Sequence, residues 1–579
     1  MQERNSYEFR GAHLTTSGVR FSLWAPSAIK VSVIGDFNHW NESKHVLEKE
    51  EKTGVFSGTV HEAKEGDFYL FHITTLEGKT LIKSDPFGRS FELRPGFKAR
   101  VINPDRFTFD DQEWMENRKS FEKKPLNIYE LHLGSWKRSG EEFLNYRQIA
   151  HELAEYVKKM NYTHVEFLPI LEHPLDESWG YQVTGFFAPS SRFGELFDFQ
   201  YLVNTLHKEG IGVILDWVPA HFPKDDHALA HFDGSFLYEY EDPLEGFHPD
   251  WKTHIFNYEK KEVREFLISS ALYFIEKCHV DGIRVDAVSS ILYRDYGRKE
   301  GEWIPNCLGG SENLEGISFL KELNQTIKSL HPNVIRIAEE ASFYNGVTKS
   351  VNEGGLGFDL KWNMGWMNDS LTYFQTNIHK RHLHFEVLTH TFSFAHDERF
   401  LLPLSHDEVV HEKKSLIMKM PGNEAERFKG LKLLLLYKMC YPGKKLLFMG
   451  GEIAQFNEWF EGEQLHWPLL NLSQNSTFQI FVKELNQFYL ETPPFWEKDF
   501  EKEAFRLSKQ NDFSASILCF QRCSETRKVF CLFNFSETDF KIEKPNGIQL
   551  FISHDEKRKK TKKGQMILPG LTGCIYELD

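Results

Sequence analysis

Cysteine is sparse and patternless in this chain. Its seven residues, an odd number, are scattered without a CxxC pair, which argues against a disulfide framework or a cysteine-based zinc site and suits a reducing compartment. Long apolar runs are missing too. The richest stretch, LKLLLLYKMC, is broken by lysine and falls far short of the roughly 20 residues that span a bilayer. The first residues, MQERNSYEFR, lack the apolar segment of a secretory leader, so a cytoplasmic protein is expected. Positive charge is in deficit. A net charge of -15 opposes binding to nucleic acid or an acidic membrane and suits a neutral partner. One basic run, Lys557, Arg558, Lys559, Lys560, Lys562 and Lys563, reads as an exposed hairpin tip.

Aromatic residues are plentiful, at 15%. They serve a packed core, and some offer faces on which sugar rings stack. The first hundred residues read as β structure. Val19, Phe21 and Leu23 alternate in VRFSLWAP, IKVSVIGDF ends at a turn, and GDFYLFHITTLEGK reads as a hairpin closed near Glu77 and Gly78. From Asn127 the pattern changes. Eight runs (NIYELHLGSW, THVEFLPI, GVILDWVPAH, GIRVDAV, VIRIAEE, GFDLKWN, FLLPLSHDEV and KKLLFMGGE) are apolar and mostly turn polar at their C-terminal ends. Buried parallel strands look this way when the loops that follow them carry function. Helical patterns such as YRQIAHELAEYVKKM and VREFLISSALYFIEKC lie between several of them.

The expected fold class is therefore α/β, a central (β/α)₈ TIM barrel flanked by N-terminal and C-terminal β-sandwich domains. The boundaries read from the pattern are 1–110, 111–492 and 493–579, with an insertion at about 222–258 over the barrel mouth.

A barrel of this kind places its chemistry at the C-terminal ends of the strands. The third run ends in Asp216 and His221, the fourth in Arg284 and Asp286, the fifth in Glu339 and Glu340, and the seventh in His406 and Asp407. A cluster of carboxylates costs mutual repulsion, and glycoside cleavage is a use for it. One carboxyl attacks or stabilises the anomeric carbon and another protonates the leaving oxygen, while a third holds hydroxyls and keeps the acid protonated. Arg284, two residues before Asp286, shares its strand face and would hold that carboxyl ionised. His221 and His406 supply donors. Taken alone, an aspartate at a strand end is an ordinary helix cap; four strand ends in order carry the inference.

These residues resemble a known family. DWVPAH, GIRVDAV, AEE and LSHDE are similar to the four ordered signature regions of the α-amylase superfamily, glycoside hydrolase family 13, and GYQVTGFF resembles its auxiliary region. The resemblance implies Asp286 as nucleophile, Glu339 as general acid/base and Asp407 as transition-state stabiliser. It implies Tyr181, Asp216, His221, Arg284 and His406 as substrate-cradling residues. Longer stretches such as HFPKDDHALAHFDGS, GGSENLEGISFLK and LPLSHDEVVHEKKS resemble its 1,4-α-glucan branching subgroup, and WAPSAIKVSVIGDFNHW resembles a glycogen-associated carbohydrate-binding module.

The expected activity is retaining transfer of an α-1,4 chain to a C6 hydroxyl, forming an α-1,6 branch. The alternatives are an α-glucan hydrolase of amylase or maltooligosyl trehalose type, and a non-catalytic glycan-binding barrel. The chain departs from the subgroup at Ala220, Glu412 and Gly451 to Ile453, where glycine, glycine and Asn-Glu-Phe are usual. With Ala220 in place of a ligating asparagine, no structural calcium is expected there; metal and cofactor are both expected to be none. A single N-terminal module is expected, where some relatives carry two. The expected partner is an α-glucan polymer such as glycogen or amylose, bound by a monomer. Trp303 and Trp459 are added as candidate sugar-stacking side chains near the barrel mouth.

Overall fold

The computed structural model describes residues 5–118, 120–554 and 564–578; the basic run at 557–563 lies outside them. All eight expected strands form and close into a parallel barrel. In chain order they are β1 (Asn127–Leu131), β2 (His164–Phe167), β3 (Gly212–Trp217), β4 (Gly282–Val285), β5 (Ile335–Ala338), β6 (Leu360–Trp362), β7 (Phe400–Leu404) and β8 (Lys444–Phe448). β8 pairs back onto β1. Every residue of all eight is buried except His164, as expected of strands covered on both faces.

Helices cover the barrel through apolar stripes and polar caps. In α1 (Tyr146–Lys159) the buried face is Ile149, Ala150, Leu153, Ala154 and Val157. The Asn145 side chain accepts the Gln148 N–H at 2.8 Å while the Gln148 side chain accepts the Asn145 N–H at 2.9 Å, which starts the helix at that residue. α2 (Leu196–Lys208), α3 (Lys261–Lys277) and α4 (Leu314–Leu330) follow β2, β3 and β4. β5 is joined to β6 without an α-helix, through a single 3₁₀ turn at Val351–Glu353. After β6 comes α5 (Met364–Gln375), which the sequence pattern did not single out; its buried face mixes Trp366, Met367, Ser370 and Tyr373, too polar for a clean apolar stripe. α6 (Glu424–Cys440) and α7 (Ser473–Glu491) follow β7 and β8.

Two antiparallel sheets precede the barrel, one holding Gly18–Trp24 and Val55–Val60, the other Ala28–Gly35 and Phe68–Thr75. They pack through Phe21 and Tyr69, whose ring centroids lie 5.0 Å apart. The Phe68–Thr75 hairpin turns at Gly78, with φ of 78° and its N–H on the Thr75 carbonyl. Behind the barrel, a five-stranded sheet packs one face on a two-stranded pair through Ile517, Phe530, Leu532 and Leu568. Its other face meets α6, where the Phe533 and Tyr437 ring centroids lie 5.7 Å apart.

The excursion after β3 carries a small antiparallel sheet of His221–Phe222, Thr253–Ile255 and Phe247–His248. Its outer side docks on the N-terminal sheets. Lys83 Nζ donates to the carbonyls of Asp226 and Ala230 at 2.6 and 2.7 Å, and the Ser27 N–H donates to Asp233.

At the base of the barrel, buried Asp281 closes the chain before β4. It accepts the Val213 N–H at 2.7 Å, His207 Nε2 at 2.8 Å and Trp114 Nε1 at 2.9 Å. Burial would raise this carboxyl, but the His207 cation outweighs it and holds Asp281 down at about 2. A depressed carboxyl stabilises the fold above its unfolded pKa of roughly 3.9, and that contribution fades as pH falls toward about 2. Asp281→Asn is expected to cost about 3–5 kcal/mol at pH 7, because it leaves His207 and the Val213 N–H poorly partnered. Urea unfolding measures the cost, and acid titration should show the Asp281→Asn variant losing less stability between roughly pH 4 and 2 than the parent does.

Candidate active site

Register puts the first pair of groups together. Asp216 on β3 stands opposite Arg284 on β4, so the side chains meet inside the barrel. Arg284 Nη1 donates to Asp216 Oδ1 and to Asp286 Oδ1, both at 2.6 Å. Its other terminal nitrogen lies 3.8 Å from Glu339 Oε2, and the guanidinium sits over the Trp362 ring at 4.5 Å. Arg284 is 1% exposed. A cation so placed persists only if paired, and three carboxyls pair it.

Asp286 and Glu339 each stand one residue beyond a strand, and the ladder continues under them. The Asp286 N–H donates to the Trp217 carbonyl and the Glu339 N–H to the Val285 carbonyl. Between them the chain turns at Ala287, a non-glycine residue with φ of 50°, a conformation that costs an L-residue about 1–2 kcal/mol. The turn aims the Ala287 N–H at Glu339 Oε2, 2.6 Å away. Strain spent on aiming one donor at one carboxylate is a mark of a working site.

A second chain of contacts closes the cleft. Tyr181 Oη donates to Asp216 Oδ2 at 2.6 Å and lies 3.2 Å from His406 Nε2. His406 Nδ1 bonds Glu130 Oε1 at 2.7 Å, and the same carboxylate accepts the Ser405 hydroxyl at 2.8 Å. Asp407 lies 3.4 Å from His406 Nε2 with its side chain 44% exposed, so the cleft is open on that side.

Burial sets the proton distribution. It raises Asp286 and Glu339 well above the carboxylate range, despite the Arg284 cation that was expected to hold Asp286 ionised. Of the two, Asp286 receives the short charge-assisted bond from Arg284, so it ionises first and the remaining proton stays on Glu339. Burial also raises Asp216. Asp407 goes the other way: its burial is outweighed by the His406 and Arg284 cations, and its pKa falls. Burial disfavours a charged His406, but Asp407 and Glu130 overcome this and lift it to about 9.

Tyr181, Asp216, Arg284, Asp286, Glu339, His406 and Asp407 thus form one connected group. His221 is buried at the start of the excursion beside Trp251, with ring centroids 4.8 Å apart; burial keeps it neutral, down at about 3. Glu340, next to Glu339, turns away to Ser289 and Lys361 and braces the wall. Trp303 is half-buried in the segment closed by the Tyr293–Glu312 bridge. Trp459 corrects its expectation. It is 6% exposed, donates to Ser135 Oγ at 2.8 Å and packs on Trp179 and Phe448, so its faces are occupied by protein.

Sequence reading missed Glu130, Glu166 and Trp179. Glu130 and Glu166 are register partners on β1 and β2. Glu166 is raised far above its ordinary range by burial beside Glu130 and Asp216. Their signal was a lone acid inside an apolar strand. Trp179, half-buried, lies edge-on to His406 at 5.8 Å.

A cavity of about 770 Å³ lies elsewhere. It lies at the N-terminal ends of β5 to β7, around Arg336, Asp359 and Arg399, and holds none of the strand-end acids.

Glu130→Gln removes the charge that answers His406. The histidine pKa is expected to fall from about 9 by more than a unit, followed by ring-carbon NMR of histidine-labelled protein. A His406 titration unchanged by the substitution would contradict the coupling. A raised histidine stabilises the fold below its unfolded pKa of roughly 6.5, and this is lost as pH rises through about 9. The variant's alkaline stability loss should therefore be smaller and be complete at lower pH.

Comparison with known proteins identifies the family. The carbohydrate-binding module 48 (isoamylase N-terminal domain) profile matches residues 10–88, and the alpha amylase catalytic domain profile matches 146–242 and 247–511. The 1,4-alpha-glucan branching enzyme GlgB of Protochlamydia amoebophila is 51% identical over 538 residues, covering 92% of this chain and 74% of that protein. The GlgB of Hydrogenovibrio crunogenus is 48% identical over 550 residues, 93% and 76% of the two chains. Among solved structures, the pullulanase of Anoxybacillus sp. LM18-11 complexed with maltotetraose superposes with a TM-score of 0.78 at 16% identity, covering 100% of this chain and 88% of that one. The catalytic module of the pneumococcal virulence factor SpuA gives 0.74 at 17%, covering 98% and 97%; these two likenesses concern the fold. The chain belongs to the alpha-amylase family and, within it, to the 1,4-alpha-glucan branching enzymes.

Proposed function

We propose that the cleft cuts an α-1,4 glucan and rejoins the freed chain through a C6 hydroxyl, with Asp286 as nucleophile, Glu339 as general acid/base and Asp407 as the group that holds the reacting sugar. The observation that carries this reading is the Arg284 clasp. One buried cation bonds Asp216 and Asp286 at 2.6 Å and leaves Glu339, 3.8 Å away, the better proton holder.

In the first half-reaction the Glu339 proton passes to the glycosidic oxygen as its bond to C1 breaks. An Asp286 oxygen bonds to C1, forming a glycosyl ester, and the other fragment leaves with a free 4-hydroxyl. In the second half the Glu339 carboxylate takes the proton of an acceptor C6 hydroxyl. That oxygen attacks C1, the ester bond breaks, and both carboxyls return to their starting states. Two inversions retain the α configuration. The carboxyl spacing such attack requires is roughly 5–5.5 Å. Tyr181, Asp216, His221 and His406 hold hydroxyls of the reacting sugar. Neutral His221 suits this, since its Nδ1 has no protein partner among the described residues.

We take 1–110, 111–492 and 493–579 as the functional division, with the first unit holding polymer beside the barrel. A monomer acting in the cytoplasm is part of the same proposal. No helix among the described residues is long and apolar enough to cross a membrane.

Incubation with amylose tests the reading. Chains released by isoamylase should rise while reducing ends stay nearly constant; rising reducing ends without new branch points would assign hydrolysis instead. Glu339→Gln should lower the rate about 10²–10⁴-fold, and Asp286→Asn should abolish turnover in a folded protein. Glu339 must enter the cycle protonated, and burial lifts it to about 7. Branching should therefore decline as pH rises through that value, and decline again at low pH where Asp286 holds its proton.

A further inference from the structure

The excursion between β3 and α3 holds a group that the chemistry above does not use. His231, Glu239 and His254 each present one ligand atom, and the three atoms lie within 4.8 Å of one another. The backbone brings them together from well-separated positions. His254 is the middle residue of Thr253–Ile255, paired with Phe222 on one side and Phe247 on the other. Glu239 forms a bridge with Phe256. The His231 backbone is tied to Glu239 itself, donating its N–H to Oε1 at 2.7 Å.

The chemistry of the three is that of a cation site. Glu239 is completely buried. Its Oε1 and Oε2 each accept one backbone N–H, from His231 and from Tyr238 at 3.1 Å, and each oxygen keeps a further lone pair. Lys260 is close, and its ammonium donates to the carbonyls of Phe236 and Leu237 rather than to the Glu239 oxygens. His231 Nδ1 stands 3.6 Å from Glu239 Oε1. The two imidazoles meet edge to face, with centroids 5.6 Å apart and planes at 83°.

We propose that His231, Glu239 and His254 bind a divalent transition-metal ion of the zinc type. Two imidazoles and one carboxylate suit zinc, copper or nickel; calcium and magnesium prefer sets made of oxygen. Metal–ligand bonds of about 2.0–2.2 Å in a tetrahedron separate ligand atoms by roughly 3.3 Å. The 3.6 Å pair is nearly there. The widest separation closes through a shift of no more than about 1.5 Å. The His231 side chain, 51% exposed, is free to make it. Solvent supplies the fourth ligand on that exposed side. The ion would clasp the loop carrying His231 and Glu239 to the strand that pairs with His221–Phe222, and so fix the wall from which His221 projects.

The test uses the full chain, freed of metal with a chelator and titrated with zinc chloride by calorimetry at pH 7.5. His231→Ala and His254→Gln are run beside it. The parent is expected to take up one equivalent that both variants lose, with a rise in Tm confined to the parent. Loss of an outer partner of a metal site costs 10–100-fold in affinity, so loss of a direct ligand should cost at least about 100-fold. Cobalt(II) gives an independent readout, as visible absorption in the parent that is lost in the variants. His231→Ala alters a half-exposed side chain, and its metal-free melting curve, expected to match the parent's, shows that the fold is intact. Equal zinc uptake by parent and variants, or no saturable uptake at micromolar zinc, would overturn the proposal.

Discussion

The guanidinium of Arg284 is the interaction on which the site depends. Buried at 1% exposure, it is held by Asp216 and Asp286 at 2.6 Å and backed by the Trp362 ring. Six carboxyls, Glu130, Glu166, Asp216, Asp286, Glu339 and Asp407, converge on the barrel's upper interior. Arg284 and His406 are the buried cations that answer them. Two positive charges do not support six negative ones in a medium of low dielectric, so some acids keep their protons. Glu166 keeps one because burial and the neighbouring Glu130 and Asp216 outweigh the Arg284 and His406 cations. Asp407 gives its proton up because His406 and Arg284 both face it. The proposed division between nucleophile and acid follows from this shortage: Asp286 takes the short bond from Arg284, and Glu339, 3.8 Å away, is left with the proton.

The backbone serves the other protonation state of Glu339. The turn at Ala287, with φ of 50°, places one N–H on Glu339 Oε2. That bond favours the charged carboxylate, the form Glu339 takes in the proposed cycle once it has protonated the leaving oxygen. The donor is fixed before reaction begins, so no reorganisation is needed when charge appears. Ala287 suits the position as a small, unbranched side chain, since a β-branched residue is a genuine outlier at positive φ.

Much of this was readable in the sequence because polar groups at the ends of apolar strands are conspicuous. Asp216, Arg284, Asp286, Glu339 and His406 stand where apolar runs stop, and the structure joins them. Glu130 and Glu166 were not readable as site residues. They lie within strands buried on both faces, where alternation no longer reports which side chain points inward. α5 escaped notice because Ser370 and Tyr373 interrupt its buried face. Trp459 shows the converse limit: an aromatic in a polar, loop-like segment reads as exposed, but the rings of Trp179 and Phe448 cover it. His231, Glu239 and His254 meet only because a three-stranded sheet folds their segments together, a pairing that no short-range spacing announces.

Glu412 marks where local conformation explains a departure from the branching subgroup. Its φ is 65°, between His411 at 53° and Lys414 at 69°, in the segment that follows Asp407. Glycine takes this conformation without steric cost, so a glycine here is understandable on backbone grounds alone. Glutamate accepts the cost, and its N–H is received by Glu458 at 3.1 Å. The same Glu458 also takes the Lys414 N–H, so one carboxylate holds the left-handed turn from two sides. The exposed edge of the cleft beside Asp407 is thereby stiffened by hydrogen bonds. Transfer to a hydroxyl in competition with water requires such stiffness. A well-oriented acceptor reacts as though present at an effective concentration of about 10⁵ M or more, far above that of liquid water, but only while the walls that orient it stay in place. In the proposed transfer, the hydrogen-bonded edge beside Asp407 is one such wall.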